Sequence, residues 1–413
     1  MTSRTKWMLL APLALTLASA GAVAAEPRLE KTELYTAGEE GYASYRIPAL
    51  AVTAKGTLLA LCEARKSGRG DWGPIDIMLR RSTDGGRTWS SRQKVAEVDT
   101  EHRKNPVALK QNLTDPSAVT QNNPLIIPDR DGSAHLLFCH EYMRCFYRRS
   151  DDDGQTFSEP VEITDAFEPF REHYDWKVLA TGPGHGVQLR SGRLVVPVWL
   201  SRGTGGHAHR PSAISTIYSD DHGETWKCGD IIAGENDPLV NPSESVAVEL
   251  ADGSVMLNIR SESSPNLRAV AISPDGATNW TRPRFDQELP EPVCMASMCR
   301  FSLADEEGGK NRLLFSNPHN LKRADGKEEP GKNRDRRNLT VKLSYDEGET
   351  WPVAKALEPG RSAYSDLAVG PDGTIYCVYE RSRKVGGRHV SCLAVARFNL
   401  AWLTDGEDSL GEE

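Results

Sequence analysis

SYDEGETW, residues 344 to 351, is one of four stretches cut to a single template, and that template decides the fold. The others are STDGGRTW (82 to 89), SDDDGQTF (150 to 157) and SDDHGETW (219 to 226), while SPDGATNW (273 to 280) keeps Ser273, Asp275 and Trp280. The chemistry is that of a turn: serine and aspartate side chains accept backbone N–H groups, and glycine permits a positive φ where the chain reverses. The closing aromatic residue is expected to plug into the sheet beneath. Each copy follows a strand-like run (IMLRR, CFYRR, STIY, TVKL), so the boxes read as hairpin turns. A calcium loop is the rival reading of SDDDG, but the acidic residue that closes such a loop at its twelfth position is missing.

Successive copies start 68, 69, 54 and 71 residues apart, which suits one small four-stranded sheet per repeat. Long helical periodicity is absent, and strand runs such as RLVVPVWL, SVMLNIR, LAVAR and GTIYCVYE recur between Gly, Pro and Asp turns. The expected fold is all-β, a six-bladed β-propeller whose first and last strands close one sheet. It fills residues 26–403 as a single domain. Residues 320 to 337, NLKRADGKEEPGKNRDRR, read as a polar loop between strands, and the acidic tail 404–413, TDGEDSLGEE, reads as frayed and solvated.

The first 25 residues combine a basic start (Arg4, Lys6), an apolar run from Trp7 to about Ala20, and small residues at Ala22, Ala24 and Ala25. They read as a secretory signal peptide cut after Ala24 or Ala25, giving a secreted or periplasmic protein. No later segment approaches the ~20 apolar residues of a membrane span. Loss of Arg4 and Lys6 takes the formal charge from −8 to −10, which disfavours nucleic acid and anionic membranes as partners. An anionic substrate therefore needs a local cluster of cations. The eight cysteines, of which Cys294 and Cys299 lie closest in sequence, read mostly as buried small residues. No metal or cofactor motif emerges, and the chain is expected to act as a monomer. Asn112, Asn279 and Asn338 match the N-x-T glycosylation pattern.

YRIPAL (45 to 50) places Arg46 at the mouth of a hairpin formed by IPALAV, the turn TAKG and TLLALC. Taken alone, Arg46 reads as the last solvated residue before a strand. Together with the boxes, however, YRIP resembles the retaining exo-α-sialidases of the bacterial Asp-box type. The resemblance continues through ALCEAR, GPGHGVQLRSGRLVVP, ESVAVELADGSVMLNIR, NLTVKLSYDEGETWP, SAYSDLAV and VYE, in the order and spacing of that family.

The resemblance implies a set of roles. Arg46, Arg260 and a third arginine would grip the carboxylate of sialic acid, a task suited to planar guanidinium groups that stay charged. Gapless counting favours Arg336 as the third, and Arg337 serves after a shift of one residue. Asp71 in GRGDWG matches the aspartate that protonates the departing oxygen, whereas Asp76 reads as a strand-edge contact. Tyr364 matches the nucleophile and Glu244 its base; Glu249 is the alternative, better read as a structural residue of its strand. Glu380 matches the acid that holds Arg46, and Arg65 an arginine near the sugar's O4. His185 reads as part of a tight loop near the pocket, outside the catalytic set. The implied activity is cofactor-free hydrolysis of terminal α-linked sialic acid from glycans or glycolipids. Alternatives are a non-catalytic sialoglycan-binding propeller, a trans-sialidase, or an enzyme for a related nonulosonic acid. The binding reading requires loss of Asp71, Tyr364 or Glu244, and all three are present.

Overall fold

A computed structural model describes residues 26–68, 70–99, 102–234, 239–305, 309–328 and 335–410. The expected signal peptide lies outside the described residues. Strands dominate, and the helical elements among the described residues are Pro106–Lys110, Leu400–Leu403 and a 3-10 turn over Thr164–Glu172. The absence of apolar residues at helical spacing accounts for this.

Apart from Gly184–His185, which pairs parallel with Gln121–Pro128, the strands form antiparallel sheets that follow one another along the chain. Ser44–Val52, Leu58–Arg65, Ile75–Ser82 and Gln93–Lys94 make one, and Ser245–Glu249, Val255–Ile259, Leu267–Ser273 and Arg284–Pro290 another. Two five-stranded sheets lie between them in sequence, one around Gln121–Pro128, Ala134–His140 and Arg144–Ser150, the other around Leu194–Ser201 and Ser212–Ser219. A seven-stranded sheet completes the set. In it the 17-residue strand Val353–Val369 pairs through its first half with Arg337–Ser344 and through its second with Ile375–Val385. The first described strand, Leu29–Thr36, pairs with the last, Arg388–Phe398, so the ends of the chain close one sheet as expected. The architecture is all-β and propeller-like.

The box turns are built as their residues predict. Thr88 donates its N–H to Asp84 Oδ1 at 2.9 Å and its hydroxyl to Oδ2 at 2.6 Å. The same pair of bonds ties Thr156 to Asp152, Thr225 to Asp221 and Thr350 to Asp346. Of the closing aromatics, Trp351 is buried and the others are half-buried. The boxes also join sheets: Asp153 accepts from the Thr53 and Thr57 hydroxyls of the first hairpin, each at 2.5 Å. The sheets approach so closely that a Cβ on Gly154, at φ +75°, would sit 2.5 Å from Leu59.

Strand direction separates the boxes from the site described below. Leu58–Arg65 and Ile75–Ser82 run antiparallel, so Leu58 and Ser82 share the box end while Arg65 and Ile75 share the other, ~23 Å away at 3.3 Å per residue. The boxes are therefore structural, and acid should weaken them. Bonds from Thr88 hold Asp84 below the ordinary carboxylate range. At Asp152, Asp221 and Asp346 burial pushes the carboxyl up, but the threonine bonds outweigh it. A depressed folded pKa gives stability that is present above the unfolded value of about 3.9 and lost as pH falls below it. Asp346→Ala is thus expected to lower Tm by about 2 °C at pH 7, with no rescue by calcium, and the gap from the parent should narrow towards pH 3 in thermal melts.

The acidic tail departs from expectation. Its described part, up to Leu410, is docked: Arg312 donates to both oxygens of Asp408 at 2.8 Å, and the Tyr345 hydroxyl adds a bond at 2.9 Å. Arg312 is only 1% exposed, and a buried guanidinium needs a carboxylate partner. The tail supplies it.

Candidate active site

At the end of the strands opposite the boxes, side chains from distant segments converge. Arg46 is aimed by a break in register between Arg46 and Ala49, where Ile47 takes φ 55°. A bulge of this kind re-aims a side chain out of the ladder. Glu380, on the Ile375–Val385 strand, accepts from Arg46 Nε at 3.1 Å and Nη2 at 3.3 Å, and from the Ile47 N–H at 3.1 Å. Burial lowers the Arg46 pKa, but Glu380, Tyr364 and Asp71 together raise it further, so the guanidinium stays charged.

Tyr364 lies at the centre. Its hydroxyl donates to Glu244 Oε1 at 2.6 Å and accepts from Arg260 Nη1 at 2.9 Å, and Arg260 also pairs with Glu244 Oε2. The guanidinium carbons of Arg46 and Arg336 each stand 5.3 Å from the tyrosine ring centroid. Burial, reinforced by Glu244, pushes the phenol well above its ordinary 10, while Arg260 and Arg336 pull the other way. The phenol is thus neutral, with a carboxylate placed to take its proton.

The two adjacent arginines part company. Arg336 donates to the Val293 carbonyl at 2.6 Å and faces Tyr364, whereas Arg337 bonds Asp335 at 2.7 Å with its side chain 48% exposed. No carboxylate pairs with Arg336 among the described residues.

Asp71 follows the Leu58–Arg65 strand, accepts from Arg65 Nη1 at 3.0 Å and lies 3.7 Å from Arg46 Nη1. Burial pushes its carboxyl up, but Arg65, His209 and Arg46 outweigh that and bring it down to about 2. Asp76 instead takes the Tyr42 hydroxyl at 2.6 Å and pairs with Lys66 and Lys94, a strand-edge role as expected. Glu249 pairs with Arg190, away from Tyr364. His185 sits beneath the site, 2.7 Å from Asp366 Oδ1, and Asp366 also accepts the Leu50 N–H at 2.8 Å. A Cβ on the preceding Gly184, at φ +106°, would meet Met295 at 2.7 Å.

Several neighbours escaped sequence reasoning. Glu63, fully buried, accepts from Arg65 Nη2 at 2.6 Å and from the Asn123 N–H at 2.9 Å, locking the arginine that holds Asp71. Trp72 packs on Tyr142 with centroids 4.7 Å apart, and His209 joins both, making an aromatic wall beside Asp71. Burial, countered by Asp71, leaves His209 pulled down to about 4, so it is neutral at pH 7. Trp72 adjoins Asp71 in sequence, a signal that was available; nothing local marks His209. All eight cysteines are free, and burial pushes Cys294, beside Tyr364, up to about 12.

Two groups of metal-ligating side chains lie outside this centre, but their carboxylates are engaged. Asp129 is held by His135, His222 and Gln188, and Glu141 by Lys104 and the Thr120 N–H. Among the described residues no helix is long and apolar enough to cross a membrane.

The propeller-like sheet assembly thus gathers three arginines, a tyrosine–glutamate pair and a loop aspartate at its strand ends. Residues 56–377 match the BNR repeat-like domain. The chain is 34% identical over 390 residues to a sialidase of Micromonospora viridifaciens, covering 92% of this chain and 55% of that protein's length. It is 31% identical to sialidase-2 of Rattus norvegicus, covering 86% of this chain and 92% of the relative. Among solved structures, the Hadza microbial sialidase Hz136 superposes with a TM-score of 0.69 at 28% identity, over 88% of this chain and 68% of that one. The chain belongs to the sialidase family.

Proposed function

We propose that the protein is an exported exo-α-sialidase, a six-bladed propeller in which the strand Val353–Val369 is shared by two blades. It hydrolyses terminal α-linked sialic acids of glycoconjugates with retention, through a tyrosyl-enzyme intermediate and without a cofactor. The observation that carries this reading is the Tyr364 hydroxyl bonded to Glu244 at 2.6 Å between the guanidinium groups of Arg46, Arg260 and Arg336. A binding protein has use for the arginines but none for a phenol coupled to a base.

In the proposed reaction the three arginines hold the substrate carboxylate and Arg65 faces the O4 side. Glu244 takes the phenolic proton as Tyr364 Oη attacks the anomeric carbon, and Asp71 gives its proton to the departing oxygen. A phenol suits this attack because a carboxylate nucleophile would be repelled by the substrate's own carboxylate, and sialidases with a tyrosine nucleophile depart from the two-carboxylate scheme of most glycosidases. Asp71, now ionised, then takes a proton from water as it attacks the same carbon. The C–O bond to tyrosine breaks and Glu244 returns the proton to the phenolate. Two displacements give retention.

Asp71 at about 2 is ionised in the empty site, yet it must arrive protonated. Docking of the substrate carboxylate on Arg46 cancels part of the field that holds Asp71 down, and the sugar desolvates it; both effects raise its pKa. Because the protonated fraction falls as pH rises, kcat/KM for natural glycosides is expected to decline from pH 4 towards 7. Aryl sialosides, with good leaving groups, should decline less. Asp71→Asn should cripple kcat/KM on the natural substrates, by about 10²-fold or more, and spare much of the first step on the aryl ones, whose second step still lacks its base. Paired pH–rate profiles on 3′-sialyllactose and an aryl sialoside test this, and equal losses on both would remove Asp71 as the acid.

The activity itself is tested by release of fluorophore from a 2-α-sialoside, with the deaminated analogue in parallel and NMR of the first-formed anomer. No release from either sugar, or inversion, would sink the proposal. At the third arginine, Arg336→Lys is expected to raise KM about tenfold or more and Arg337→Lys to leave it unchanged, since lysine cannot reproduce paired guanidinium bonds.

A further inference from the structure

A cleft of about 340 Å³ lies beside the carboxylate-gripping Arg46 and Arg336. Arg46 and Arg336 form one end; Arg361, Arg381, Ser382 and His389 line the other. Its size suits a sugar ring. Four guanidinium groups face it against two carboxylates, and both carboxylates are engaged: Glu380 by Arg46 and the Ile47 N–H, and Asp335 by Arg337. Arg381 pairs loosely with Glu358 and Glu33, at 3.5 and 3.7 Å. Arg361 has no hydrogen-bond or ion-pair partner among the described residues, and it stands directly across the sheet from Arg337.

The cations continue outward. The hairpin that closes the cleft, RSRKVGGRH over residues 381 to 389, carries Arg381, Arg383, Lys384, Arg388 and His389 and no acidic residue. Lys384 and Arg388 are exposed and have no ion pair among the described residues. In a chain of formal charge −8 this concentration beside one site is local. Resting on the sialidase reading, the chemistry of the substrate says which part of it lies there. Asp71, the proposed acid for the departing oxygen, stands 3.7 Å from Arg46 Nη1, and Arg46 lines the cleft, so the cleft adjoins the leaving side of the anomeric carbon. We propose that this cleft is a subsite for an acidic sugar on the leaving side of the scissile bond. The preferred substrates are then sialosides whose leaving group carries its own negative charge, a second sialic acid foremost.

The test compares kcat/KM of the full chain on an aryl sialoside, 3′-sialyllactose, its 6-sulfated form and α2,8-disialyllactose. The disialyl substrate is expected to exceed 3′-sialyllactose by about fivefold to tenfold at low salt, in line with one or two charge-assisted bonds. That ratio should shrink in 0.2 M salt. It should fall to near unity in Arg361→Ala and below unity in Arg361→Glu, each measured relative to the aryl sialoside. A parent active on the aryl sialoside but showing no preference among the three glycans, or a preference untouched by Arg361→Glu, overturns the subsite alone. A gain confined to the sulfated glycan overturns its assignment to a second sialic acid. A parent inactive on every sialoside overturns the sialidase reading and the subsite with it.

Discussion

Tyr364→Phe is expected to lose at least about 10³-fold in kcat and to form no covalent adduct with a 3-fluorosialyl fluoride, while still binding sialic acid. The fluorine at C3 slows departure of the sugar more than the fluoride leaving group slows its arrival, so the parent should accumulate a tyrosyl adduct visible in the intact mass. A peptide digest should place it on Tyr364. Losing the hydroxyl removes the nucleophile but leaves Arg46, Arg260 and Arg336 in place, and so binding survives. Glu244→Gln should slow adduct formation without abolishing it, because it removes the base at 2.6 Å and keeps the packing. A label on Glu244 or Asp71 would overturn the assignment of the nucleophile even if hydrolysis were confirmed.

Arg46→Ala should fail twice over. It removes a guanidinium that faces the substrate carboxylate, and it strips Glu380, whose side chain is 8% exposed, of the partner that balances its charge. Breaking a buried pair from one side costs about 3–5 kcal/mol, so folding stability should fall together with turnover. Glu380→Gln in the Arg46→Ala background separates the two effects. The double variant is expected to regain much of the lost Tm in thermal melts, because no orphaned charge remains, and to regain no activity. Equal activity of Arg46→Ala and the parent would remove Arg46 from the site. Failure of Glu380→Gln to restore Tm would mean that the ion pair is not what the arginine stabilises.

How much of this was legible beforehand follows the reach of each interaction. The box turns were readable because their bonds run from residue i to i+4 or less, so Asp346 and Thr350 announce each other in the text of the sequence. Closure of the sheet by its first and last strands was readable from the repeat. The solvated tail was misread for the converse reason: Asp408 and Arg312 are 96 residues apart, and the charge that needed burying a partner lay in another strand. The expected catalytic set came through the resemblance, since no local pattern links Arg46 to Glu380 across 334 residues.

By itself, then, the sequence determined the kind of sheet and the turns that repeat it, because hairpin chemistry and strand alternation are local. Only the tertiary structure decided which groups face one another. Successive side chains point to opposite sides, so Arg336 stands over Tyr364 while Arg337 turns to Asp335. The Glu63 lock on Arg65, the aromatic wall of Trp72, Tyr142 and His209, and the bed of Asp366 under His185 arise where separate sheets meet. The low pKa of Asp71 has the same origin: it depends on how near Arg65, His209 and Arg46 come to one carboxylate, and Coulomb energy is a function of distance in space, not along the chain.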